Sequence, residues 1–184
     1  MRKNKRVVIS GSPGSGKTAV VEGLKNKGYS IFEEYSRSLI KDYQSKGITN
    51  LFLSAPLKFS KQLLEVREKQ FIDSEKIFQA KNQVVFFDRG IHDIHAYLIA
   101  IGQENLNLKE KVYSFEYDLV FLLTPWEEIF KKDNERLENF SQAKMYYPYI
   151  RKVYSIQHKV IELPQRSIEE RISFIEFFLN SNNG

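Results

Sequence analysis

Apolar residues along this chain come partly in short unbroken runs, among them VVI, VVFF and LVFLL. Between these runs lie longer stretches in which apolar positions recur every three or four residues. Continuous runs mark strands covered on both faces, whereas the wider spacing marks helices with one buried side. The pattern predicts strands over 6–10, 29–33, 83–88, 118–123 and 159–163. It predicts helices opening at Lys17 and covering 35–46, 56–80, 91–101, 141–156 and 168–179. Pro56 suits a first-turn position, and Ser167 with Glu170 forms a capping box at the start of the last helix. Pro148 interrupts the 141–156 segment, where its missing N–H predicts a kink or restart. Strands alternating with helices imply a parallel sheet with helices on both faces.

No repeat, low-complexity tract or linker breaks the 184 residues, so a single domain over 1–184 is expected. A hydrophobic fraction of 42% and a charged fraction of 28% are ordinary for a soluble globular chain. The absence of cysteine excludes disulfides and thiolate metal sites, and fits a reducing compartment. The basic start MRKNKR leads into VVIS, too short for a signal-peptide core, and no apolar stretch approaches a membrane span. A soluble, cytoplasmic protein is expected.

The net charge of +5 raises the question of nucleic acid. Basic residues are, however, interleaved with acids, as in EVREKQ and KKDNER, and no basic block carries interleaved aromatics. That pattern speaks against a nucleic-acid partner. A modest positive excess suits a pocket for phosphorylated small molecules instead.

The strongest chemical signal follows the first strand. Gly11-Ser12-Pro13-Gly14-Ser15-Gly16-Lys17-Thr18 matches G-x-x-x-x-G-K-[ST] in full. Small residues let the backbone wrap closely, so that successive N–H groups and the next helix's N-terminus face phosphate oxygens. Lys17 is placed to reach the β- and γ-phosphates, and the Thr18 hydroxyl to ligate Mg²⁺. This predicts nucleoside triphosphate binding with Mg²⁺, on a three-layer α/β P-loop fold with strand order 2-3-1-4-5.

Further candidates are graded by position. Asp88 ends the apolar run VVFFD, where an acid holds Mg²⁺, although a plain helix cap has the same appearance. The next residue is Arg89, where hydrolytic ATPases commonly place a glutamate, and neither N-K-x-D nor D-x-x-G is present. These features argue against a dedicated hydrolase and a Ras-like GTPase. Glu34 and Arg37 follow the second strand, on the edge where open α/β sheets bind ligands. Glu34 is a candidate base or Mg²⁺ partner and Arg37 a candidate acceptor-binding cation; a surface pair at helical spacing is the alternative.

The charged segment 131–136 lies where a lid (about 126–140) would lie, with Arg136 the candidate cation for the transferring phosphoryl; a solvated charge run reads the same way. Trp126 is read as packing, with base stacking as the alternative, and Tyr146-Tyr147-Pro148-Tyr149 as helix packing. His92 and His95 flank Asp93 without the spacing of a helical metal pair, and His158 carries no signal. Asp93 is a candidate for the acceptor pocket, with a solvent-facing position as the alternative. Arg67 is read onto an exposed helix face, with a position pointing into the cleft as the alternative.

Taken together, GSPGSGKT, EEYSR, VVFFDRG, LLTPWEEIFKKDNER and ELPQRSIEERISFI resemble the AAA-type P-loop family grouped with the ribosylnicotinamide-kinase domain of NadR. Likeness to that kinase domain itself centres on the P-loop and on E-Y-x-R, here Glu34-Tyr35-Ser36-Arg37; where the domain carries a second acid, this chain has Arg89-Gly90. The resemblance implies a nucleoside- or nucleotide-kinase-like fold using ATP and Mg²⁺. The leading expectation is phosphoryl transfer to a small-molecule acceptor. Gly14, Gly16 and Lys17 would hold the donor, Thr18 and Asp88 the metal, and Glu34 the acceptor, while Arg89, Arg37 and Arg136 neutralise charge. The alternatives are a regulatory module that reads ATP or GTP, and a nucleic-acid-linked ATPase.

Overall fold

A computed structural model describes residues 4–48, 51–78, 80–130 and 139–181, with only the backbone of Phe52 and Leu53. Five parallel strands form one sheet in the order β2-β3-β1-β4-β5: β1 is Lys5–Gly11, β2 Ser30–Phe32, β3 Val84–Asp88, β4 Leu119–Leu123 and β5 Val160–Leu163. Each strand lies within two residues of its predicted bounds, and the order is the expected one. The central strand is flanked by a strand on each side and covered on both faces, which is why its middle residues Val7, Val8 and Ile9 are all apolar and fully buried: Val7 pairs with Phe86 of β3 and Leu119 of β4.

Alternation along the strands sorts their side chains into two cores. Val7, Ile9, Phe86 and Phe121 pack under α1 (Lys17–Asn26) and α8 (Ile168–Ser181). Val8, Val85, Phe87 and Val120 face the opposite layer, which includes α2 (Ser36–Ser45), α4 (Pro56–Asp73), α5 (His92–Ala100) and α7 (Phe140–Tyr154). The result is the three-layer α/β arrangement, with helices on both faces.

Several helical expectations need correction. The helix predicted to reach residue 80 ends at Asp73, followed by a single 3₁₀ turn over Ser74–Lys76. The Ser74 hydroxyl donates to the Phe71 carbonyl (2.6 Å) and accepts from Arg6 Nε (2.9 Å), and Ile77 is extended. Ser74 thus competes with the helix for its own last carbonyls. Two helices went unpredicted: the short α3 (Leu51–Ser54) and α6 (Leu106–Tyr113), which Asn105 caps by accepting from Leu108 N (3.0 Å). Pro148 does not make α7 restart. Pro148 and Lys144, whose carbonyl lacks the i→i−4 partner, both lie on the exposed side of the helix. The capping box at Ser167 is as expected: Glu170 N donates to Ser167 Oγ (3.2 Å), and Ser167 N to Glu170 Oε2 (3.1 Å).

Gly11, the last residue of β1, has φ +150°, and a Cβ there would meet the backbone of Leu123 in β4. A backbone neighbour cannot swing aside as a side chain can. Gly11→Ala is therefore expected to cost about 2–3 kcal/mol of stability. Urea unfolding should show a lower midpoint at unchanged slope; an unchanged midpoint would contradict this close approach.

Candidate active site

β1 delivers the chain into the glycine loop at the carboxyl edge of the sheet, and α1 begins at Lys17. Gly14 (φ +75°) and Gly16 (φ +83°) supply the left-handed turns that let the loop close. A Cβ at Gly16 would lie 3.0 Å from Ile129 Cδ1 and 3.2 Å from Arg171 Nη1, so the loop is backed tightly from outside. The hydroxyls of Ser12 and Ser15 are buried without a hydrogen-bond partner. Pro13 is half-buried, and Thr18 is exposed on the first turn of α1.

Four charged groups converge beside this loop. Lys17 Nζ makes an ion pair with Asp88 Oδ1, at the end of β3, and lies 3.4 Å from Glu34 Oε2, just past β2. Arg89 Nε bonds Glu34 Oε1 at 2.8 Å, while its Nη1 donates to the Gly11 carbonyl (3.1 Å) and Asp93 Oδ1 (3.0 Å). Arg89 is also a non-glycine residue in the left-handed region, with φ +67°. Ser36 Oγ donates to Glu34 at 2.7 Å. Burial by itself would raise the Glu34 pKa, but Lys17 and then Arg89 outweigh it and hold the carboxyl well below its ordinary 4.5. Glu34 is thus an ionised hydrogen-bond acceptor, not a proton reservoir.

The structure therefore gathers Lys17, Glu34, Asp88, Arg89 and Asp93 in one place. Asp88 is not a helix cap, since α5 begins at His92 with no side-chain cap. Arg37 is 46% exposed, with its Nε 3.9 Å from Glu34, the spacing of a helical pair. Two readings are corrected. Asp93 does not face solvent: it is 1% exposed, and its carboxylate is occupied by groups of the protein. Arg67 does not lie on an exposed face either, because the helix that carries it packs over β3, and its Nη1 donates to the Gly90 carbonyl at 2.7 Å. Arg136 and the rest of the 131–138 segment lie outside the described residues.

Sequence reasoning missed Arg171. Its Nη1 donates to the Ser15 carbonyl (3.1 Å), and its guanidinium lies 4.7 Å from the centre of the half-buried Trp126 ring. The only local signal was an arginine one turn inside the last helix. His92 and His158 pack edge to face with ring centroids 4.4 Å apart, and burial followed by His158 lowers the His92 pKa to about 3. No cluster of three or more metal-ligating side chains occurs among the described residues.

The depressed pKa of Glu34 has a measurable sign. A carboxylate that stays ionised in the native state, after the unfolded chain has taken up its proton, stabilises the fold above its ordinary pKa of 4.5 and loses that contribution as pH falls below it. Glu34→Gln is expected to be less stable than wild type at neutral pH, with the gap narrowing as pH falls from about 5 to about 3. A gap that stays constant with pH would show that Glu34 is not held by these cations.

Comparison with known proteins agrees with this architecture. No curated protein is significantly similar in sequence. Among solved structures, deoxyadenosine kinase from M. mycoides with bound dATP superposes with a TM-score of 0.63 at 16% identity, covering 95% of this chain and 99% of that one. The same enzyme with bound dCTP gives 0.62 at 17% identity, covering 96% and 99%. Thymidylate kinase from Candida albicans gives 0.62 at 19% identity, covering 98% and 92%. At such identities the likeness is one of fold: that of the nucleoside and nucleotide kinases. Residues 6–171 match the family model described as an AAA domain, and the chain belongs to that family.

Proposed function

We propose that this chain transfers the γ-phosphoryl group of ATP, with Mg²⁺, to a hydroxyl of a small nucleoside- or nucleotide-like acceptor. The observation that carries the reading is the meeting of Glu34 with Lys17 and Arg89, which joins an acid from the outer strand to the glycine loop. A phosphate-binding loop alone is common to many chemistries. An ionised acid facing it, between two cations, adds a place for a hydroxyl to be oriented.

The residues present suit the donor and the metal. The two buried, unpartnered serine hydroxyls and the left-handed glycines make a cradle for phosphate oxygens. Asp88 and Thr18 are the ligands assigned to Mg²⁺, which typically needs only one or two protein oxygens besides phosphate and water. A metal held there would supply positive charge against the negative charge that develops during transfer. Lys17 holds the donor's outer phosphates. Glu34 accepts a hydrogen bond from the attacking hydroxyl and aligns it. As the new O–P bond forms, the bond from the γ-phosphorus to ADP breaks and the hydroxyl proton leaves to solvent, while Arg89 balances negative charge on the transferring group. Arg37 stands on the acceptor side of Glu34. The names of the structural neighbours, kinases of deoxyadenosine and thymidylate, support a nucleoside-like acceptor over an unrelated one.

The test is ADP formation from Mg·ATP by the purified chain, alone and with pooled nucleosides, nucleotides and ribosyl cofactor precursors. Acceptor-dependent ADP release is expected, abolished by Lys17→Ala and reduced about a hundredfold or more by Glu34→Gln with ATP binding retained. Turnover and ATP binding that both survive Lys17→Ala would sink the reading. Slow, acceptor-independent turnover across a broad panel would favour a nucleotide-sensing module instead.

A further inference from the structure

Behind the proposed site lies a second set of polar groups that none of the roles above uses. The Asp93 carboxylate accepts from Ser10 Oγ (2.5 Å) and Arg89 Nη1 (3.0 Å) on one oxygen, and from Gly90 N (3.0 Å) and Tyr154 Oη (2.6 Å) on the other. Tyr154 is fully buried on α7, and its oxygen also accepts from Gly90 N (3.1 Å). Arg67 from α4 donates to the Gly90 carbonyl, and the Ile91 N–H donates to Tyr117 Oη (3.1 Å). Arg89 N donates to the Ile9 carbonyl (3.0 Å). The polar backbone groups named in the 89–91 turn are thus tied to β1, α4, α5, α7 and the segment that leads into β4.

This turn is where Arg89 takes its left-handed conformation. For a residue with a Cβ, such a conformation persists only when the surroundings over-determine it. A Cβ on Gly90 would lie 2.6 Å from Tyr154 Oη, so the glycine and the tyrosine are matched to each other. The consequence falls on the guanidinium. Asp93 holds Nη1 from the rear, which leaves Nε directed at Glu34 and Nη1 also bonded to the Gly11 carbonyl. A buried, fully bonded carboxylate of this kind has no capacity left for a substrate; what it can do is aim the arginine.

We propose that Asp93 and Tyr154 are positioning residues, which together with Ser10 clamp Arg89 so that its guanidinium faces Glu34 and the start of the glycine loop. Their role in catalysis rests on the phosphoryl-transfer reading; the clamp itself does not. Tyr154 sits on the helix that follows the 131–138 segment, so side chains 61 residues apart in sequence set the direction of one arginine.

The test uses the full chain and the variant Tyr154→Phe, which deletes one hydroxyl, with Asp93→Asn as a second variant and Arg89→Lys to assign the arginine signal. Two readouts are followed: steady-state transfer to the acceptor identified as above, and the Nε–Hε NMR resonance of Arg89. Tyr154→Phe is expected to lower kcat about tenfold to a hundredfold, with KM for ATP and acceptor within about twofold of wild type. The Arg89 resonance should broaden or exchange faster while thermal unfolding stays cooperative. A merely structural tyrosine would lower the melting temperature while leaving both kcat per folded molecule and the Arg89 signal unchanged, and that result overturns the proposal. If wild type transfers phosphate to nothing, the catalytic reading has failed and the resonance alone decides the clamp: loss of the ordered signal in Tyr154→Phe supports it, an unaltered signal overturns it. Asp93→Asn should act in the same direction and more strongly, and a folded Asp93→Asn variant with an unaltered Arg89 signal would equally overturn it.

Discussion

Burying charge is the constraint on which this structure turns. Lys17, Arg67, Asp88, Arg89 and Asp93 are each at most 8% exposed, and the Glu34 side chain is 12% exposed. Taking an ion out of water costs several kcal/mol unless partners replace the lost solvent. Here three cations and three anions answer one another across the carboxyl ends of β1, β2 and β3 and the buried faces of α4 and α5. Moving any of these elements would strand a charge. The network therefore requires β2 to finish beside β3, requires α5 to start directly after the 89–91 turn, and brings α7 close enough for Tyr154 to reach Asp93.

The same groups form two tiers with different freedom. Asp93, Tyr154, Ser10 and Arg67 bond to protein groups inside the fold. Lys17 and Asp88, by contrast, are each other's partners at the rim of the glycine loop. On the phosphoryl-transfer reading, anionic phosphate suits Lys17 and a divalent cation suits Asp88, so both can exchange one ion-pair partner for another without being left unpaired. A site built this way stays electrically balanced with and without ligand, at little cost in reorganisation.

What could be read from the sequence follows from the range of the forces involved. The glycine loop, the five strands and the Ser167 capping box are written in adjacent residues, so local pattern identified them. Asp88 was legible because an acid at the end of an apolar run has few roles. Glu34 was legible as a candidate only, since a glutamate three residues from an arginine is common on any helix surface. Asp93, Arg67 and Tyr154 could not be assigned from pattern. Each is a single polar residue in a helix, and its burial depends on partners 23 to 83 residues away. Arg171, which bonds Ser15 across 156 positions, was invisible for the same reason. The missed α6 is a different failure: its cap at Asn105 and its Leu108–Val112 spacing were present, but eight residues are too few to dominate a periodicity window.

On the phosphoryl-transfer reading, Arg89 also bears on the choice between transfer and hydrolysis. Taking up a proton from water calls for a base, and a guanidinium carries only donors. The nearby acid, Glu34, is held ionised by Lys17 and Arg89, which weakens it as a base while keeping it an excellent hydrogen-bond acceptor. Phosphoryl transfer through a loose transition state asks little of base strength and much of alignment and charge balance. A hydroxyl carried on a larger acceptor can be aligned by binding energy from the rest of that molecule, whereas water cannot. An acid tuned to align rather than deprotonate, backed by an arginine whose direction is set from deep inside the fold, thus favours an acceptor that brings its own binding contacts.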